Sequence, residues 1–280
     1  MKKRLLATIM TLTMAMGVVA CGADQTSQTE NTSETAEATE STESTESDVA
    51  YIQEKGKLIV GITDFAPMDY KDDNGEWIGF DADMAKAVAD SLGVDVEFVE
   101  IDWDNKILEL ENKSIDVVWN GMTLTPEVTN AMETTNAYCN NAQVVVVSAD
   151  KADAVTSVDE AKELSFAVES GSAGEAAASD NGFDYVAVKS QADAVMEVAA
   201  GTSDACIIDL LMAGAMVGEG TSYPDLTHTV ELTTEEYGVG CRKGSDLAAY
   251  INDQFKSLYA DGTMTEIAET YGVQDAVVEQ

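Results

Sequence analysis

Two α/β units, each built on a doubly wound parallel sheet and followed by a return segment, are what this sequence predicts. Three observations carry the expectation. Apolar runs of strand length alternate with segments of helical spacing, β-α-β-α-β, twice over. One junction, Asp116-Val-Val-Trp-Asn-Gly-Met-Thr-Leu-Thr-Pro-Glu127, ends a buried strand and opens a helix. The length of 280 residues suits one large domain or two modest ones.

The N-terminal 20 residues read as a targeting segment. Lys2, Lys3 and Arg4 precede an apolar run from Leu5 to Ala20, with Val18-Val19-Ala20 just before Cys21. Small residues before a cysteine resemble the lipobox of bacterial lipoproteins. That resemblance implies a lipoprotein signal peptide over 1–20, cleavage before Cys21 and a lipid on its sulfur. A plain secretory signal is the alternative. No later run approaches the ~20 apolar residues of a membrane span, so the expected location is the extracytoplasmic face of the cell membrane, reached through the lipid.

Residues 21–50 form an acidic Ser/Thr/Glu-rich tether. It has almost no large apolar side chain to offset the entropy of ordering. The folded part is expected from Tyr51. Lys57 to Ile62 is strand-like, and Asp72-Asp73-Asn74-Gly75 is a turn whose acidic spacing fails the EF-hand pattern. Phe80 to Leu92 has helical spacing, with Gly93 placed to end it. Val94 to Ile101 alternates as a strand, and a helix runs from Asp102 through Leu110. The junction follows: a strand from Ile115 to Trp119, Thr125 as N-cap and Pro126 at the first helical position. Ligands of open α/β sheets sit beyond the carboxyl ends of strands, at junctions of this kind.

In the second unit the strands are Gln143 to Val147, Leu164 to Val168, Tyr185 to Val188 and Ala205 to Asp209. Ser157-Val-Asp-Glu160 matches a capping box. Glu169 to Glu175 is a glycine-rich turn into a helix through Ala178, and a second helix spans Gln191 to Ala200. The return segment is a strand from Val239 to Arg242 with helices over Leu247–Tyr259 and Met264–Tyr271.

A formal net charge of −37 repels phosphates and excludes nucleic acid as a partner. Cys139, Cys206 and Cys241 show no CxxC spacing, and His228 is the sole histidine, so neither a zinc site nor another metal or cofactor is expected. Buried thiols are the reading favoured for these cysteines, with a disulfide among them left open.

From about Lys57 to Val273 the chain resembles the solute-binding proteins of ABC importers, in the branch that binds polar amino acids. The residues that carry the resemblance are Gly79-Phe80-Asp81-Ala82-Asp83-Met84, the Asn-Gly-Met-Thr-Leu-Thr core at 120–125 and Ser170 to Glu175. Gly201 to Asp209, Glu236 to Gly240 and Asp261-Gly262-Thr263 add to it. It implies a periplasmic-binding-protein-like, type II fold: two lobes joined by two crossover strands. Lobe 1 would be 51–142 with 242–280, lobe 2 would be 148–233, and the hinge strands 143–147 and 237–241.

The same resemblance implies roles. Phe65 and Trp103 pack rings against the ligand, and Asp64 stands near a side-chain-reading position. Asn120, Gly121 and Thr123 contact its amino and carboxylate groups. Ser170, Gly171, Ser172 and Ala173 form a carboxylate-binding turn, Asp209 takes the ammonium, and Tyr237 lines the hinge side. One departure is local. The family carries an arginine shortly after the Thr-x-Thr turn to pair with the ligand carboxylate, and Val128 stands there. Either backbone donors and hydroxyls hold the carboxylate, with Trp119, Asn120, Asn141 and Gln143 as further contacts, or the ligand is not an ordinary α-amino acid.

The expected function is a monomeric receptor, not an enzyme. It captures a small polar solute, an amino acid or related amine, and delivers it to ABC permease subunits. The alternatives are an enzyme on the same fold, of the cyclohexadienyl or arogenate dehydratase kind, and a ligand-sensing surface lipoprotein.

Overall fold

The computed structural model describes residues 47–280. The expectations for the signal peptide, for Cys21 and for the tether up to Glu46 lie outside the described residues. Folded structure starts before Tyr51. Ser47 caps helix α1 (Asp48–Lys55), accepting from Ala50 N–H, and Asp48 in its first turn pairs with Arg242 of the first lobe.

The first lobe continues with β1 (Lys57–Ile62), a small hairpin of β2 (Tyr70–Lys71) and β3 (Trp77–Ile78), α2 (Phe80–Leu92) and β4 (Asp95–Glu100). A short 3-10 turn at Trp103–Asn105 leads into α3 (Lys106–Glu111), then β5 (Val117–Val118), α4 (Pro126–Ala131) and β6 (Glu133–Thr134). The second lobe holds β7 (Cys139–Ser148), α5 (Val158–Ala161), β8 (Ser165–Glu169), α6 (Ala173–Asn181), β9 (Asp184–Val188), α7 (Gln191–Ala200), β10 (Ala205–Asp209), α8 (Leu210–Met216) and β11 (Leu226–Tyr237). The chain then returns to the first lobe through β12 (Gly240–Cys241), α9 (Leu247–Ala260) and α10 (Thr263–Tyr271).

Each lobe has a five-stranded sheet, ordered β4-β1-β5-β12-β6 and β11-β7-β10-β8-β9. The sheets are mixed rather than wholly parallel. β4, β1 and β5 run parallel, as do β10, β8 and β9, while β12, β7 and β11 pair antiparallel. The antiparallel strands are those by which the chain passes between lobes. β7 leaves the cleft, and the parallel strands come back to it, so Asp209 at the end of β10 lies opposite Gln143.

Gln143–Val147 is not a free-standing crossover. It is paired along its length with β10 and lies inside the second sheet. The segment passing between lobes is 139–142, paired with 234–237 of β11. No strand is evident from the sequence over 226–233, where β11 begins; its exposed residues are polar and its register shifts around Glu231, which hides the alternation. Cys139, Cys206 and Cys241 are buried free thiols.

The first lobe is pinned by buried charge. The Asp116 side chain is fully buried, accepts from Ile59 N–H at 2.8 Å, and pairs with Lys55 at 2.5 Å and Arg242 at 3.3 Å. Arg242 also grips Asp48 at 2.9 Å and donates to Ile115 O at 2.9 Å, tying α1, β5 and β12 together. Removing one member leaves uncompensated buried charge, so Asp116→Ala is expected to lower unfolding free energy by about 3–5 kcal/mol in urea titrations.

Candidate functional site

A cavity of about 170 Å³ opens between the lobes at the carboxyl ends of their parallel strands. That is below the range of drug-sized sites and limits the occupant to a small molecule. Gly171 lies so close to the opposite lobe that a Cβ there would stand 2.7 Å from Asp104 Cα. Lys106 of α3 reaches across and donates to Gly171 O at 2.8 Å. The two lobes therefore touch over the cavity, which is the geometry that excludes water from a bound solute.

The first lobe contributes the loops after β1, β4 and β5. Phe65 is buried, and its ring occupies space that any side chain at Gly121 would fill: a Cβ at Gly121 would lie 2.2 Å from Phe65 Cε1. Gly121 also has φ 54°, in the left-handed region. Its N–H donates to Asp81 Oδ2 at 2.6 Å, and Tyr138 OH donates to the same oxygen at 2.7 Å. Burial pushes Asp81 up to about 7, and burial with the neighbouring charge of Asp81 raises Asp69 as well.

Asn120 Nδ2 donates to Asp69 Oδ2 at 2.7 Å, and Asn120 Oδ1 accepts from Thr63 N–H at 2.9 Å. Asn120 thus holds two strand-end loops together while touching the cavity wall. Trp103 stands on the same wall, with Lys106 Nζ 4.9 Å from its ring centre. Thr125 accepts from Val128 N–H as the N-cap of α4, and brings Glu127 and Val128 to the rim.

The second lobe supplies the acids. Asp209, 3% exposed, ends β10. Its Oδ1 accepts from Tyr237 OH at 2.6 Å, from Gln143 Nε2 at 3.0 Å and from Asn141 Nδ2; its Oδ2 accepts from Gln191 Nε2. None of these four donors is a cation. Burial, then the negative charge of Glu235, pushes Asp209 up to about 8.

Glu235 Oε1 accepts from Asn141 at 2.7 Å, Gln143 at 2.8 Å and Thr123 Oγ1 at 3.0 Å. Glu169, 2% exposed at the end of β8, has an oxygen, Oε1, with no hydrogen-bond partner among the described residues. Burial, then the charge of Asp209, pushes it up to about 8 against the opposing pull of Lys106. Lys106 is itself lowered by burial.

Nine of the residues named from sequence line the cavity: Phe65, Trp103, Asn120, Gly121, Thr123, Gly171, Ser172, Ala173 and Asp209. Three do not. Asp64 is exposed on the β1 loop. Ser170 is half-buried, and its N–H pairs with Val188 O at the sheet edge. Tyr237 is wholly buried behind the wall, donating to Asp209 and packing its ring edge-on against Phe65.

Lys106, Glu127, Val128, Glu169 and Gln191 line the cavity without having been named as site residues. Glu169 had a usable signal, since it ends a strand as Asp209 does. Lys106 had none, because its reach to Gly171 exists only once the lobes meet. His228 is exposed on β11 and takes no part. No group of metal ligands is found among the described residues.

Comparison with known proteins follows the same outline. Residues 58–274 match the bacterial extracellular solute-binding proteins, family 3. The L-cystine-binding protein TcyJ of Escherichia coli strain K12 is 26% identical over 224 residues, covering 79% of this chain and 84% of that protein. The arginine-bound form of truncated ArgBP from T. maritima superposes with a TM-score of 0.70 at 32% identity, over 75% of this chain and 99% of that one. An ancestral amino acid-binding protein, described as a precursor of cyclohexadienyl dehydratase, gives a TM-score of 0.73 at 32% identity, over 80% and 99%.

The raised acids have a stability signature. A carboxyl whose folded value lies above its unfolded value of ~4 contributes fully below pH ~4, and that contribution is lost as pH rises through the folded value. For Glu169 the loss falls between about 4 and about 8. Glu169→Gln is therefore expected to leave the ligand-free melting temperature unchanged at pH 4 and to raise it at pH 8.5, as read by calorimetry. An equal effect at both pH values would contradict a buried, uncompensated Glu169.

Proposed function

The chain belongs to the bacterial extracellular solute-binding proteins, family 3, and on that premise we propose that it captures a small solute bearing a positively charged nitrogen in the interlobe cleft and hands it to an ABC permease. The fold is the family's, and the named relatives bind amino acids: cystine for TcyJ, arginine for ArgBP. The observation that carries the cationic reading is the pairing of Asp209 and Glu169. Two nearly fully buried carboxylates face one cavity, and the nearest cation, Lys106, is bound to Trp103 O and Gly171 O. A buried charge without a partner is costly, and an ammonium or guanidinium supplies the partner.

Closure follows from the same contact. A solute touching Asp209 in one lobe and Phe65, Trp103 or Thr123 in the other favours the closed arrangement by its differential affinity. The sequence further supports a lipid on Cys21 with residues 22–46 as a tether, which keeps the receptor near its permease. Cys21→Ser is the variant that reads this out, by release from membranes.

A second reading, an enzyme on the same fold, is favoured by one observation. Glu169 is buried at the cleft with Oε1 unpartnered among the described residues, and burial pushes it up to about 8, the direction that suits a general acid. Turnover of prephenate or arogenate by the purified protein decides for it.

The test of the main reading is a thermal-shift screen against amino acids and amines with the wild type and Asp209→Asn. Asparagine keeps the size of the side chain, removes the charge and leaves Oδ1 to accept from Asn141, Gln143 and Tyr237, turning its NH2 toward the Gln191 donor alone, whereas alanine would strand all four donors. At least one cationic compound is expected to raise the wild-type melting temperature by several degrees, and that shift disappears in Asp209→Asn. An undiminished shift in the variant would remove Asp209 from the site.

A further inference from the structure

A ligand carboxylate needs donors, and several of the donors around this cavity are already engaged. Gly121 N–H donates to Asp81 at 2.6 Å. The Thr123 hydroxyl donates to Glu235 at 3.0 Å. Gly171 N–H donates to Glu175 Oε2 at 2.7 Å, and the Ser172 hydroxyl accepts from Glu175 N–H at 3.1 Å as the N-cap of α6. Three of the groups that would greet an anion therefore serve carboxylates of the protein itself. The rest of that helix start stands beside the buried carboxyl of Glu169 and beside Glu175, and the charge of Glu175 opposes a second anion there.

The walls point the same way. Among the described residues, Glu127, Glu169 and Asp209 line the cavity against a single cation, Lys106, which is turned to two backbone carbonyls. Val128 presents an apolar side chain, 4% exposed and packed with Trp103, Met122 and Met132, where an arginine would have paired with a carboxylate. Glu169 Oε1 lacks any partner among the described residues. Asp209, by contrast, is held by four donors, so the two acids present separate acceptor positions in one small space.

We propose that the cleft selects a molecule with two cationic ends and no carboxylate, a guanidinoalkylamine or diamine, in preference to an α-amino acid, with Asp209 receiving one end and Glu169 the other. This rests on the reading that the interlobe cavity is the ligand site, and it narrows that reading to a charge pattern. Lys106 then closes the lobes through Gly171 O rather than meeting an anion.

The test is titration calorimetry on the full chain with arginine, agmatine (arginine without its carboxylate), putrescine and glutamine. Agmatine is expected to bind at least as tightly as arginine, and glutamine to give no heat. Glu169→Gln is expected to weaken agmatine at least tenfold. An arginine affinity ten or more times that of agmatine would overturn the charge pattern and leave the cleft assignment standing. The same holds for an unchanged agmatine affinity in Glu169→Gln. Absence of binding by all four probes, with no response in the wider screen either, overturns this inference and the cleft reading together.

Discussion

Burying a carboxylate without a countercharge is the constraint on which the functional part of this structure depends. Asp209 and Glu169 are both nearly inaccessible, and neither has a cation within hydrogen-bond reach among the described residues. In a folded protein such groups take up a proton or find a partner. The first lobe supplies the contrast. Asp116 is equally buried, but Lys55 and Arg242 neutralise it, and no site results. Asp69 and Asp81, equally buried in the first lobe but without a cation, are raised by burial instead, and Asp209 and Glu169 at the cleft share that condition.

The fold makes that arrangement possible. Parallel strands all end on one side, so β8 and β10 deliver Glu169 and Asp209 to the same edge. The antiparallel strand β7, entering from the other lobe, places Asn141 and Gln143 beneath Asp209 as neutral donors. These amides orient the carboxyl group without supplying a countercharge. Facing them, Asp81 fixes the Gly121 N–H and Asn120 ties the loop after β1 to the loop after β5. Phe65 and Trp103 then form a firm apolar wall, against which the stem of a bound solute can pack.

Much of this is readable from the residues alone. Helices such as Phe80–Leu92 and Gln191–Ala200 declare themselves through their spacing and glycine stops, and both occur with those bounds. Thr125 and Pro126 start α4 as their chemistry requires. Asp209 can be found because it terminates an apolar strand. Other features depend on distant parts of the chain. Asp48, in the first turn of a helix, pairs with Arg242, 194 residues later. β11 hides because its outward residues are polar and its bulges break alternation. Asp64 and Tyr237 stand off the cavity wall, since one turn of a loop or one layer of depth separates a wall residue from its neighbour. The significance of Glu169 appears only when its environment is known to be dry.

Proton release on binding is the most direct probe of the central claim. If Asp209 and Glu169 are protonated in the empty cleft and must ionise to receive a cation, binding has to expel protons. Calorimetric titration of the best stabilising compound at pH 7, repeated in buffers of different ionisation enthalpy, measures that number. The account predicts release of between about one and two protons per molecule bound. Binding that exchanges no protons with the buffer would contradict it.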